Sequence, residues 1–143
     1  MMISTKGRYA LRVMIDLAEH NTGSYIPLKD IAERQQISEK YLESIIKILV
    51  KADYLDALRG KGGGYRLNRD PSEYTAGSIL RLTEGTLSPV ACLEEGSSPC
   101  SRAAECKTLP MWKELDNLIS GFLDHYSLLD LANPELSGNN YVI

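Results

Sequence analysis

Two runs of helical periodicity stand only two residues apart, and that spacing constrains the fold more than any other feature of the chain. Residues 28–35 follow Pro27 and carry Leu28, Ile31 and Ala32 on one apolar stripe. From Ser38 to about Ala52, Leu42, Ile45, Ile46 and Leu49 recur at helical spacing. Ser38 suits an N-cap, because its side-chain oxygen can accept from a backbone N–H of the first turn. Only Gln36-Ile37 separates them. A short helix, a tight turn and a longer capped helix is the helix-turn-helix arrangement.

The rest of the pattern builds around that pair. A first helix begins near Ser4 or Thr5 and places Ala10, Leu11, Met14, Leu17 and Ala18 on one face. It ends at Asn21-Thr22-Gly23. After Ala52 the period changes. Residues 53–58 and 65–67 read as two short strands joined by the glycine-rich turn Arg59-Gly60-Lys61-Gly62-Gly63-Gly64. Residues 75–85 suggest another short helix. Residues 86–107 form a loop rich in Pro, Ser, Gly and Glu. A long helix then runs from about Leu109 to His125 or beyond, with Thr108 as its expected cap and Pro110 tolerated in the first turn. The fold class expected is mainly α with a small β-hairpin wing. It comprises a winged helix-turn-helix over 1–85, a cysteine loop over 86–107, a dimerisation helix over 108–132 and a tail over 133–143.

The dimer expectation comes from the last helix. Met111, Trp112, Leu115, Leu118, Ile119, Phe122, Leu123 and Tyr126 make an apolar stripe too wide for a small domain to cover easily. A second copy could cover it, and a two-fold homodimer would then present two recognition helices about one DNA turn apart. The alternative is a helix packed back on its own domain.

The functional expectation rests on charge. The net charge is -3, but residues 1–69 hold 12 Lys and Arg against 8 Asp and Glu, while residues 70–143 hold 4 against 11. A basic half joined to an acidic half suits a protein of which one end meets a polyanion. On the third helix Lys40, Glu43, Ser44, Lys47 and Lys51 face away from the apolar stripe. Lysines suit phosphates, and Glu43 and Ser44 suit base edges, so the partner expected is an operator in double-stranded DNA. Taken alone, that face reads better as the solvated face of an amphipathic helix. The hairpin tips the balance toward DNA, since Arg59, Lys61 and Arg66 flank glycines on a turn with little bulk, as a wing lying along a DNA backbone requires. The glycine run lacks GxxxxGK[ST] and joins two strands, so it is not a nucleotide loop.

Other classes fit poorly. Asp16 and Glu19 interrupt any apolar signal core, and no stretch approaches the ~18 apolar residues of a membrane span. A cytoplasmic location without a membrane partner is expected. No nucleophile–base pairing, cofactor loop or HExxH motif points to an enzyme. His20 and His125 have no motif around them and read as ordinary histidines.

Three cysteines, Cys92, Cys100 and Cys106, fall within fifteen residues. An odd number argues against a disulfide framework. Thiolates are the preferred ligands of iron–sulfur clusters and of zinc, so the loop reads as a cluster site, a thiol sensor, a zinc site or an inert loop. The absence of CxxC disfavours a thioredoxin-like or zinc-ribbon reading.

The segments STKGRYALRVMIDLA, IAERQQISEKYLESIIKILVKADYL and RGKGGGYRL, followed by a cysteine loop, resemble the IscR/NsrR/CymR-type repressors over about residues 2–130. These are homodimeric winged-helix regulators, several of which bind an iron–sulfur cluster. The resemblance implies that Ser38, Tyr41, Glu43, Arg59 and Lys61 lie at DNA, and that the C-terminal helix dimerises. It further implies that Cys92, Cys100 and Cys106 ligate a [2Fe–2S] or [4Fe–4S] cluster. Two positions depart from the pattern, besides a longer first gap. Leu109 stands where the IscR type has a histidine ligand, and Arg8 stands where the NsrR type has an acidic ligand from the partner chain. The fourth ligand is left to water, a small molecule, or Glu94, Glu95 or Glu105. The function implied is a repressor reporting iron–sulfur, redox or nitric-oxide status. The alternative is a CymR-like regulator set by a partner enzyme or small molecule, without a cluster.

Overall fold

A computed structural model describes residues 2–135. The elements are α1 (Thr5–Glu19), α2 (Leu28–Gln35), α3 (Glu39–Lys51), β1 (Leu55–Leu58), β2 (Gly64–Leu67), α4 (Ala76–Glu84), α5 (Leu109–His125) and α6 (Leu128–Ala132), with three isolated 3₁₀ turns between them. No described helix is long and apolar enough to cross a membrane.

One core organises the N-terminal elements. Val13, Met14 and Leu17 of α1, Ile31 of α2 and Leu42, Ile45, Ile46 and Leu49 of α3 are all buried in it. Each such side chain contributes about 1.5–3 kcal/mol by leaving water. The caps expected for α1 and α3 form: Ser4 Oγ accepts from the Gly7 N–H at 3.0 Å, and Ser38 Oγ accepts from the Tyr41 N–H at 3.2 Å. Between α2 and α3, Gln36 adopts a left-handed conformation (φ 54°, ψ 47°), and the Ile37 N–H turns back to the Ala32 carbonyl at 3.1 Å. Ile37 is buried, so the turn is pinned by an apolar side chain as well as by its backbone.

α1 is locked to the end of α2 by a buried carboxylate. Asp16 is 1% exposed. It accepts from Arg34 Nε at 3.0 Å and Nη2 at 2.7 Å, and from Gln35 Nε2 at 2.8 Å. At the other side of α1, Gly7 packs so closely on α4 that a Cβ there would collide with the Glu84 carboxylate. Glu84 in turn accepts from the backbone N–H and hydroxyl of Ser4, at 2.9 and 2.7 Å.

β1 and β2 pair antiparallel, with Leu55 opposite Leu67 and Leu58 opposite Gly64. Asp53 is not in the strand as the sequence pattern suggested. It sits at φ 60° in the turn leaving α3, and pairing starts two residues later.

The C-terminal region differs most from expectation. Thr108 has helical dihedrals and makes no side-chain cap; its hydroxyl lies 3.5 Å from Cys106 Sγ instead. The stretch 108–132, expected as one helix, is two. Tyr126 is extended (φ -85°, ψ 117°), and Ser127 starts α6 with a reciprocal capping box to Asp130. The break is favoured because Leu128 becomes buried, while its N–H bonds to the Tyr74 carbonyl at 2.8 Å and the Ala76 N–H bonds to the Tyr126 carbonyl at 2.9 Å. The loop 86–107 carries two of the 3₁₀ turns, at Ala91–Leu93 and Ala103–Glu105. Most of the expected tail, residues 136–143, lies outside the described residues.

α5 itself contains no buried residue, and Met111, Leu115 and Leu118 are 52%, 37% and 54% exposed. Its C-terminal end is tied to α4 by a two-pronged pair, Arg81 Nη1 and Nη2 to Asp124 Oδ1 and Oδ2 at 2.8 and 2.9 Å. The hydrogen bond from Arg81 holds the Asp124 carboxyl below its ordinary value. A depressed folded-state value means that the pair's contribution is complete above the ordinary carboxylate range and disappears as pH falls through the lower one. Both groups are substantially exposed, so the contribution is at most about 1 kcal/mol. Asp124→Asn is expected to lower the melting temperature slightly at pH 7, and the gap to the parent protein to close as melts are taken to pH values below the ordinary carboxylate range.

Candidate nucleic-acid interface

α3 separates its residues cleanly into two faces. Leu42, Ile45, Ile46 and Leu49 are buried, whereas Ser38, Lys40, Tyr41, Glu43, Ser44, Lys47 and Lys51 are exposed. The face expected to meet DNA is therefore available, with the α3 N-terminus at one end. Two hydroxyls on it differ in what they can offer. Ser38 uses a lone pair on the Tyr41 N–H and keeps its proton for an outside acceptor. Ser44 donates to the Tyr41 carbonyl at 2.6 Å, so it meets a partner as an acceptor.

The hairpin is stiffened from behind. Ile26 and Tyr65 exchange two backbone hydrogen bonds of 2.8 Å, adding a third short backbone segment to β2. Gly60 and Gly62 turn with positive φ, and the Gly63 N–H closes on the Gly60 carbonyl at 3.0 Å. Arg59 and Lys61 are exposed and make no hydrogen bond or ion pair with the described chain. Arg66 is different. It donates to the Gly23 carbonyl at 2.8 Å, lies 4.2 Å over the Tyr25 ring and sits 3.8 Å from Asp56 Oδ2. The sequence made it one of three wing cations, but its work is to fasten the hairpin to the α1–α2 connection. An open cleft separates the two surfaces, with Glu43, Lys47 and Lys51 on the α3 side and Arg59 on the hairpin side. Ile46, Val50 and Tyr65 line it between them.

Three side chains that pack on the helix-turn-helix escaped the sequence reading: Tyr9, Arg12 and Asp16. Helical spacing puts them on one face of α1, but nothing in the sequence says which element that face meets. Here it meets the helix-turn-helix, with Tyr9 against Tyr41 and Arg12 and Asp16 on Gln35.

The cysteines are less assembled. All three are free thiols; Cys92 and Cys100 are exposed and Cys106 is half-buried. Hydrogen bonding from the Thr108 hydroxyl, then from the Thr108 backbone, draws the Cys106 thiol below its ordinary value. Among the described residues no three His, Cys, Asp or Glu side chains come together as a metal site. Glu94 and Glu95 line a separate shallow cleft with Arg81, Glu84, Asp116 and Ser120. Leu109 opens α5, and the Arg8 guanidinium bonds to Thr5 at 3.3 Å. The donor chemistry of the loop thus fits a thiophilic metal group, three thiols with one biased toward thiolate, while their placement leaves the three apart.

Residues 3–134 match the model of the Rrf2 family, described as an iron-dependent transcriptional regulator. The chain belongs to the Rrf2 family. It is 38% identical over 135 residues to the HTH-type transcriptional regulator IscR of Serratia proteamaculans, an alignment covering 94% of this chain and 81% of that one. To the IscR of Vibrio atlanticus it is 37% identical over 143 residues, covering 100% and 79%. Among solved structures it is similar to CymR, the global cysteine regulator of B. subtilis, with a TM-score of 0.75 and 38% identity over 94% of this chain and 98% of that one. It is also similar to T. potens IscR, with a TM-score of 0.70 and 33% identity over 99% and 94%. The Rrf2 assignment agrees with the observed fold of a winged helix-turn-helix followed by a long C-terminal helix, and it makes the chain a DNA-binding transcriptional regulator. Its relatives are regulators and not enzymes. The family description as an iron-dependent regulator and the IscR relatives fit cluster sensing better than the CymR-like alternative.

The wing's geometry yields a direct test. Gly64 has φ 151°, and a Cβ there would collide with the Ile26 carbonyl. Gly64→Ala is expected to pull the hairpin from Ile26 and destabilise the fold by about 2 kcal/mol, read by urea unfolding.

Proposed function

We propose that this Rrf2 protein acts in the cytoplasm as a homodimeric repressor. It reads an operator with α3 and clamps the flanking backbone with its wing. The observation that carries this reading is the pair of uncommitted cations, Arg59 and Lys61, on a stiffened hairpin beside the exposed polar face of α3. Lys40 and Lys47 neutralise phosphates. Ser38 donates to a phosphate or base edge, Tyr41 supports that contact, and Glu43 and Ser44 accept from base edges, Glu43 suiting cytosine N4. The exposed face of Met111, Leu115 and Leu118 pairs with its counterpart in a second copy.

In the same proposal Cys92, Cys100 and Cys106 hold an iron–sulfur cluster of the [2Fe–2S] or [4Fe–4S] type once the loop draws them together. Such a group would supply a redox centre at the loop. The residues of this chain provide the thiolates, and Thr108 stabilises the one at Cys106. A second reading is favoured by the separation of the thiols and by Leu109 at the position of a histidine. In it the protein is CymR-like, its cysteines are not ligands, and a partner protein or small molecule sets its state.

Two measurements test these readings. Lys61→Ala and Arg59→Ala are each expected to weaken binding on every duplex and to reduce the salt slope of log K by about 1 per wing. Unchanged affinity and slope in both variants would remove the wing from the interface. Anaerobic purification with iron and sulfide analysis separates the sensor readings. A coloured protein that loses iron on Cys92→Ser or Cys106→Ser supports the cluster, and a colourless, iron-free protein supports the CymR-like reading.

A further inference from the structure

Tyr9, Arg12 and Asp16 form a continuous chain of contacts from α1 to the two ends of the helix-turn-helix turn. The Tyr9 ring meets Tyr41 edge to face, with centroids 5.8 Å apart and planes at 77°. The Arg12 guanidinium lies over the Tyr9 ring at 5.0 Å. The same guanidinium donates to Gln35 Oε1 at 3.1 Å and, through Nη2, to the Gln35 carbonyl. Gln35 is the last residue of α2, so that carbonyl is one of the helix-end acceptors without an intrahelical partner. Its side-chain amide is held from the other direction by Asp16. The backbone then turns left-handed at Gln36, buries Ile37 and reaches the α3 cap at Ser38.

Arg12 therefore grips the point where the chain leaves α2, and through Tyr9 it supports the first turn of α3. Tyr41 receives both influences, because its N–H is the one that Ser38 caps and its ring is the one that Tyr9 meets. Edge-to-face aromatic pairs and a cation over a ring face are directional, so the chain sets an orientation as well as a distance. Readout of base edges tolerates misplacement of only about 0.5 Å, and Glu43 and Ser44 lie within one helical turn of Tyr41.

We infer that Tyr9 and Arg12 are positioning residues for operator recognition, which orient the start of α3 through Tyr41 and Gln35 without touching DNA. The inference rests on the reading of α3 as the DNA-facing helix. Both side chains are half-buried, and the Arg12 guanidinium is already committed to Gln35 and Tyr9. A residue acting this way alters discrimination between sequences without altering the number of ions released on binding.

The test begins by selecting a duplex from a random library with the parent protein. Binding to the selected duplex and to a scrambled one is then measured as a function of salt. Tyr9→Leu is expected to lose about three- to tenfold in affinity for the selected duplex, the size of one aromatic contact. It should lose much less on the scrambled duplex, and its salt slope should stay that of the parent. Tyr9→Phe, which keeps the ring, restores binding. Arg12→Met, which keeps an unbranched stem but loses both the bonds to Gln35 and the cation over Tyr9, shows the same loss with the same unchanged slope. The Tyr9→Leu change should have no further effect in a Tyr41→Leu background. A fall of about 1 in salt slope for Arg12→Met would make Arg12 a phosphate contact and overturn the inference. Equal losses on both duplexes, or additive losses in the double variant, also overturn it. Should Tyr9→Leu not fold, as judged by its melting curve, Arg12→Met and the Tyr9→Phe comparison decide the matter. Failure of the parent to select any duplex would overturn the DNA reading itself, and this inference with it.

Discussion

The placement of α3 depends on one buried carboxylate. Asp16 is carried by α1 in the middle of an apolar face, and its burial would be prohibitive without partners. Arg34 supplies a two-pronged donor and Gln35 a third bond, so both oxygens are used. His20 stands 3.8 Å from the same carboxylate and bonds to the Asp16 carbonyl at 2.8 Å. Arg34 keeps about a third of its side chain in water (34% exposed), which lessens the desolvation cost that a fully buried pair incurs. The arrangement fixes the last turn of α2 against α1, and the left-handed turn and α3 follow from where that helix ends.

The elements that sequence made legible are those whose signal is local. The stripes of α2 and α3, the cap at Ser38, the cap at Ser4 and the glycine turn each need only a few neighbouring residues to be read, and each is present. The elements that escaped depend on partners distant in sequence. Asp16 reads in the sequence only as a charge interrupting an apolar run, because Arg34 is eighteen residues away. Arg66 reads as a wing cation because its acceptor, the Gly23 carbonyl, is forty-three residues away. The break after α5 has a local signal, the Ser127–Asp130 capping box, but the apolar periodicity running through Phe122, Leu123 and Tyr126 masks it. Leu128 leaves that periodicity to join the core under α1.

The candidate site divides in the same way. The polar face of α3 and the two free wing cations could be read from spacing alone. The commitment of the Ser44 proton to a backbone carbonyl, and the support of Tyr41 by Tyr9, depend on contacts that spacing does not encode. The cysteine loop was visible as a composition and spacing of residues, yet spacing does not dictate approach. The three thiols share a loop without sharing a site.

The junction at Tyr126–Ser127 gives the C-terminal region the mechanics of a lever. α5 is seventeen residues long, or about 25 Å, with its fulcrum at the Asp124–Arg81 pair and the Thr75–Ser127 bridge and with Cys106 just beyond its far end. α6, on the short side of the fulcrum, packs on α1, the helix that carries Asp16. A rotation of about five degrees at the fulcrum corresponds to about 2 Å at the cysteine end, given that length. At the Thr75–Ser127 bridge, beside the α6 face that packs on α1, a displacement of α5 at the loop end would therefore be only a fraction of its size.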